Sequence, residues 1–239
     1  KAFVERSIQN RRKLIGYISY DLGCALHEVP LTARDDLSLP DIFFCAFDNY
    51  ISFSGCTASI HYTDPLFPGL VAAISRRPLS PALRAPATPF AAEHTRQQYA
   101  RAFKRIKKYI YNGDIYQINL SHRLRAETLL PARTLFVNIM EKNPVGFLAY
   151  IEGDGCEILS ASPERFVKTL NRSIRTCPIK GTRPRGRTRT GDMRYCKELL
   201  QSRKEAAELN MITDLLRNDL GRVCTVGSVR VEESRHVQK

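Results

Sequence analysis

The stretch that decides the reading of this chain is residues 160–182, SASPERFVKTLNRSIRTCPIKGT. Within it, RFVKTL at 165–170 and SIRTC at 173–177 have the length and composition of short strands, and they meet at Asn171-Arg172, where Asn is a common turn former. The pattern predicts a β-hairpin. A hairpin returns its two ends to one place, so it carries Glu164, just before the first run, toward Lys180, just beyond the second. That juxtaposition suits either an ordinary salt bridge or an acid and an amine lining one pocket.

Outward from this hairpin, 146–151 and 156–161 read as another strand pair turning at Gly153-Asp154-Gly155, and 132–142 as a helix. Downstream, residues 172–194 carry eight basic side chains (Arg172, Arg175, Lys180, Arg183, Arg185, Arg187, Arg189, Arg194) against one acid, Asp192. Residues 195–216 read as one long helix with an apolar stripe of Leu199, Leu209, Ile212 and Leu216, stopped by 217–221 and followed by a strand over 222–231. Glu205 and Glu208 are three apart and share a face of that helix. Such a pair is ordinarily solvated. It becomes a set of oxygen ligands for Mg²⁺ only where that face meets a pocket.

Toward the N-terminus, 14–20 (LIGYISY) suits a strand, and 42–47, 50–54 and 57–62 read as a three-stranded meander in which His61 is structural. Six prolines between 64 and 89 mark a linker, with a short helical turn near 70–75. Residues 95–112 form an amphipathic helix: Tyr99, Phe103, Ile106 and Ile110 fall at helical spacing, Thr95 is the N-cap and Gly113 the C-terminal stop. The next segment, 113–123, is expected to be a strand with Gln117, Asn119 and Ser121 on one face. Amides are costly in a core without partners, so that face belongs either to a cavity or to an edge open to water. The organisation is therefore an N-terminal β-rich portion (1–64), a proline-rich linker (65–92) and a second portion (93–239) that would hold the site. Strands and helices mix without βαβ alternation, which argues for an α+β fold built on antiparallel sheets.

A length of 239 residues with 43% hydrophobic side chains is enough to bury a core. The formal charge of +13 points to an anionic partner. No aromatic residue interrupts the run 172–194, which argues against nucleic acid, although a basic RNA-binding module remains the alternative from another functional class. Seven scattered cysteines show no metal spacing and read as reduced. Without a signal-like or membrane-length apolar run, the expectation is a soluble, cytoplasmic protein with no membrane partner.

Five stretches in order carry a resemblance: GYISYDLG (16–23), GDIYQINLSHR (113–123), SASPERF (160–166), PIKGTRPRG (178–186) and KEAAELNMITDLLRNDLGRV (204–223). Together they resemble the chorismate-utilising enzymes, whose anthranilate synthase component I-like fold is α+β. Gln117 matches the ammonia-using members, where water-using members carry lysine. PIKGT, with Lys180, looks like aminodeoxychorismate synthase component I of the p-aminobenzoate and folate pathway, whereas anthranilate-forming members usually read PIAGT. The resemblance implies that Lys180 is a covalent nucleophile and Glu164 the general acid, with Gly181, Thr182 and Gln117 at the substrate. It further implies that Glu205 and Glu208 help hold Mg²⁺ and that a glutamine amidotransferase partner supplies ammonia. Lysine attacks only as the neutral amine, a form favoured by desolvation among cationic neighbours. Anthranilate synthase component I is the alternative within the family. Family motifs expected beyond the last residue, including further metal-binding glutamates, are not in the chain, so it is read as an incomplete piece whose activity alone is open. A catalytically inactive remnant is a third reading.

Overall fold

The computed structural model describes residues 2–75, 87–153 and 155–237, and the chain divides into two compact units, Lys1–Leu130 and Pro131–Lys239. It is an α+β fold whose described sheets are all two-stranded and antiparallel.

In the first unit, α1 (Ala2–Gln9) leads into β1 (Lys13–Ile18), followed by α2 (Leu22–Leu26) and β2 (Ile42–Phe47). β1 pairs with β2, placing Gly16 opposite Phe44. Only glycine fits there, because a Cβ on Gly16 would fall 1.8 Å from the Phe43 carbonyl oxygen. Arg12 closes the end of this ladder with a bidentate pair to Asp48, both bonds 2.7 Å. β3 (Tyr50–Ser54) and β4 (Thr57–His61) form a separate hairpin around Gly55. The expected three-stranded meander is therefore not formed: β2 pairs back to β1 across residues 19–41, matching IFFCAF to the equally long and mostly apolar KLIGYI, while YISFS pairs with β4 alone. His61 stacks on Tyr50 at 4.4 Å and bonds Ser52 at 3.0 Å through Nε2, a structural role.

α3 (Phe67–Ser75) opens the proline-rich stretch, of which residues 76–86 lie outside the described residues. β5 (Ala91–Ala92) precedes α4 (Arg96–Asn112) and pairs with β6 (Leu124–Arg125). α4 begins as expected, with a capping box: Thr95 accepts from the Gln98 N–H and Gln98 accepts from the Thr95 N–H. It ends at Gly113, φ 82°. The strand expected over 113–123 is absent. Backbone there is irregular because no described segment offers it a ladder until Leu124 meets Ala92. Asp36 gathers Arg123 and Arg125, and its bond with Arg123 holds the carboxyl below the usual range.

In the second unit, α5 (Ala132–Lys142) packs on the hairpin of β7 (Phe147–Gly153) and β8 (Cys156–Ser162), with Phe136 and Tyr150 rings 5.6 Å apart. Asp154, at the turn, lies outside the described residues. β9 (Arg165–Leu170) and β10 (Ser173–Cys177) have the expected bounds. Their turn residues Asn171 and Arg172 both take positive φ, 47° and 65°, the signature of a type I′ turn. Instead of one long helix, α6 (Arg189–Gln201) and α7 (Arg203–Gly221) meet at Ser202. Ser202 leaves helical geometry (φ −68°, ψ 111°) and caps α7 by accepting from the Glu205 N–H. The strand expected over 222–231 is also absent, since a turn with Gly227 at φ 78° and Ser228 bonded back to Thr225 breaks it.

Candidate active site

The site is built at the open end of β9–β10. The ladder closes with Cys177 opposite Arg165, after a bulge that leaves Thr176 unpaired in the register; its hydroxyl donates to the Phe166 carbonyl at 2.6 Å. Glu164 stands just before β9, its backbone held by Ser162, whose hydroxyl accepts the Glu164 N–H (3.3 Å) and donates to the Glu164 carbonyl (3.1 Å). Across the strand end, Glu164 Oε1 accepts the Ile179 N–H at 3.1 Å. The acid is thus tied to the residue immediately preceding Lys180, as the hairpin reading expects. Lys180 is half-buried and, among the described residues, makes no hydrogen bond or ion pair, so the alternative of an ordinary Glu164–Lys180 salt bridge is not what forms. An open depression of about 500 Å³, lined by Phe147, Glu164, Arg165, Phe166, Val167 and Lys168, lies on the β9 side. It reaches Glu164 but not Lys180, so the candidate chemistry lies at its rim.

Beyond Lys180 the chain turns through Gly181, at φ 78°. A Cβ there would stand 2.7 Å from Leu199 Cδ1 and 3.0 Å from Glu205 Oε2, so the Gly-Thr step lies directly against the first turn of α7. Arg183 ties these parts together. Its Nε donates to Glu198 Oε1 at 2.8 Å, its Nη1 donates to the Thr182 carbonyl at 2.9 Å, and the same Nη1 is 3.6 Å from Glu205 Oε1. The bond with Glu198 raises the guanidinium above its ordinary value, a change in the direction of a firmly held cation. Arg185 makes a bidentate pair with Asp192, both bonds 2.9 Å, and Asp192 also accepts the Gly186 N–H at 2.9 Å. Together with Arg175 on Glu232 at 2.9 Å, these contacts show that part of the basic run is internally paired.

Glu205 and Glu208 lie half-buried one turn apart on α7, as expected. Among the described residues no group of three or more His, Cys, Asp or Glu side chains gathers as a metal shell. The two carboxylates nonetheless fit Mg²⁺ by donor type: hard oxygens, in a number that Mg²⁺ accepts while keeping several waters. Gln117 belongs to the first unit, half-buried on irregular backbone. Sequence reasoning missed Arg183, Glu198 and the cap at Ser202. Only the last had a local signal, Ser202-x-x-Glu205, the pattern of a helix start inside an otherwise helical run.

The sequence profile described as chorismate binding enzyme matches residues 1–239. The chain belongs to this chorismate-binding enzyme family. It is 33% identical over 243 residues to aminodeoxychorismate synthase component 1 of Bacillus subtilis, covering 94% of this chain and 51% of that relative. It is 35% identical over 236 residues to anthranilate synthase component 1 of Thermus thermophilus, with the same coverage, 94% and 51%. Among solved structures, anthranilate synthase component I from Streptococcus pneumoniae superposes with a TM-score of 0.75 at 26% identity, over 88% of this chain and 50% of that one. The chain therefore spans about half the length of the relatives it matches, and it shares with them the α+β architecture of chorismate-binding enzymes.

Proposed function

We propose that the chain forms part of an ammonia-using chorismate enzyme that makes 4-amino-4-deoxychorismate. The observation that supports this reading is the Glu164–Ile179 bond, which ties the acid to the residue preceding Lys180 at one strand end. Lys180, as neutral amine, adds at C2 of the chorismate ring while the ring double bonds shift and the C4 hydroxyl leaves as water. Glu164 gives that hydroxyl its proton. Its Oε1 is anchored on Ile179, which leaves Oε2 to carry that proton. Ammonia then adds at C4, the double bonds return and the lysine is expelled, so the net change is hydroxyl for amino with release of water.

Gln117, in place of a water-activating lysine, supports ammonia as the nucleophile, and Gly181 and Thr182 would contact the substrate. Glu205 and Glu208 would hold Mg²⁺, which supplies neutralisation of the ring carboxylate when bound. A glutamine amidotransferase is the proposed ammonia source, with free ammonia as a substitute. Anthranilate formation is the second reading, favoured by the comparable identity to anthranilate synthase component 1.

The test incubates the protein with chorismate, Mg²⁺ and ammonium and resolves the products after adding the lyase that converts aminodeoxychorismate to p-aminobenzoate. The expected outcome is p-aminobenzoate, lost in Lys180→Ala and lowered by about 10²-fold or more in Glu164→Gln. Anthranilate as the product would overturn the assignment, and unchanged aminodeoxychorismate formation by Lys180→Ala would remove the covalent role.

A further inference from the structure

The Arg183 guanidinium is shared unequally between two glutamates from different helices. Glu198 on α6 takes the short contact at 2.8 Å, while Glu205 on α7 stands at 3.6 Å. The Thr182 carbonyl accepts a third bond from it, which fixes its position relative to the Gly-Thr step. Arg183 and Glu205 are the enclosed members, with side chains 24% and 19% exposed, whereas Glu198 is 56% exposed. Glu205 is therefore the more loosely held of the two carboxylates that share this guanidinium. The ordinary outcome would be a close pair, because attraction between unit charges grows as their separation falls. Here the shorter contact goes to Glu198, and Glu205 Oε2 lies beside Gly181.

We propose that Glu198 is a positioning residue that draws Arg183 away from Glu205 and so keeps the Glu205 carboxylate available to a divalent cation. This rests on the reading of Glu205 as a cation ligand. Arg183 is then a resident counter-cation that an incoming ion must outcompete, and Glu198 sets how strongly it competes. Removing Glu198 lets Arg183 close onto Glu205, while removing Arg183 leaves Glu205 without a rival cation. The two changes act on cation affinity in opposite directions. A merely structural pair would lose affinity in both cases, as the loop and helices loosened together.

The experiment is calorimetric titration of the full 239-residue chain with Mg²⁺, repeated with Mn²⁺, for the parent, Glu198→Gln, Arg183→Gln, the double variant of these two, and Glu205→Gln. Thermal midpoints serve as a check that each variant folds. Affinity is expected to fall by about threefold in Glu198→Gln and to rise by about threefold in Arg183→Gln, the range of a partly exposed ion pair. The double variant should match Arg183→Gln, because Glu198 acts only through Arg183. Parent binding with both single variants shifted in the same direction, or with neither shifted, overturns this inference alone. Absence of cation binding by the parent, or binding unaffected by Glu205→Gln, overturns the reading of Glu205 as a ligand and this inference with it.

Discussion

Gly181 and Gly186 flank the Thr182–Arg185 segment, and each is glycine for a different physical reason. Gly181 needs a positive φ of 78°, and an added Cβ meets only the ends of the Leu199 and Glu205 side chains, which can swing aside. Gly186 has no positive φ, but its Cβ would fall 2.1 Å from the Asp192 backbone nitrogen and 2.5 Å from the Gly191 carbonyl carbon. Backbone cannot yield as a side chain does. Gly181→Ala is therefore expected to cost about 1–2 kcal/mol, from left-handed strain and the displaced carboxylate, and Gly186→Ala to cost more by pushing the loop off α6. Urea midpoints of the two variants check this order, and an equal or reversed loss would show that the loop does not seat on α6. The hairpin reading drew attention to Lys180, and the resemblance carried by the PIKGT stretch to Gly181 and Thr182. It contained nothing about which carboxylate Arg183 would choose, since Glu198 and Glu205 are both within reach of a long side chain and only the placement of α6 against α7 separates them.

At the scale of elements, the local signals that held were those complete within a few residues. Thr95 with Gln98 and Gly113 bound α4, Asn171-Arg172 turns the β9–β10 hairpin, and the apolar stripe from Leu199 to Leu216 keeps its half-buried face. Two of those that failed depended on distant partners. Residues 113–123 alternate like a strand but meet no ladder among the described residues, and β2 pairs back to β1 instead of forward to β3. The break at Ser202 is functionally consequential, because it makes Glu205 an N-terminal residue of α7 instead of a mid-helix one. A carboxylate in a first turn is stabilised by the helix dipole, and its own N–H is capped by Ser202. Ser202→Ala is expected to destabilise the second unit by about 1 kcal/mol, seen as a lower denaturation midpoint with faster amide exchange at residues 203–205. If exchange there is unchanged, α6 and α7 act as the single helix that their sequence suggests.

For the whole molecule, charge is the property that reaches beyond single elements. A formal +13 would draw an anion such as the proposed chorismate dianion, but Arg175, Arg183 and Arg185 are already paired internally. The attraction left is long-range and screened by salt, so the association rate for chorismate should fall by about tenfold between low salt and roughly 0.5 M, measured by stopped-flow. A salt-independent rate would mean that the net charge plays no part in encounter. Among the described residues no hydrophobic side chain is fully buried, and Phe53 and Phe166 are 77% and 81% exposed, as follows from sheets of two strands each. No described helix is long and apolar enough to cross a membrane. Taken by itself, the sequence determined the caps of α4, the hairpin turn and the arrival of Glu164 beside the Lys180 segment, because capping, turn chemistry and hairpin closure are short-range. The tertiary structure alone decided which strands pair, that Glu164 holds Ile179 without a salt bridge to Lys180, and that Arg183 belongs more to Glu198 than to Glu205. Those outcomes compare distances between groups far apart along the chain, and periodicity carries no information about them.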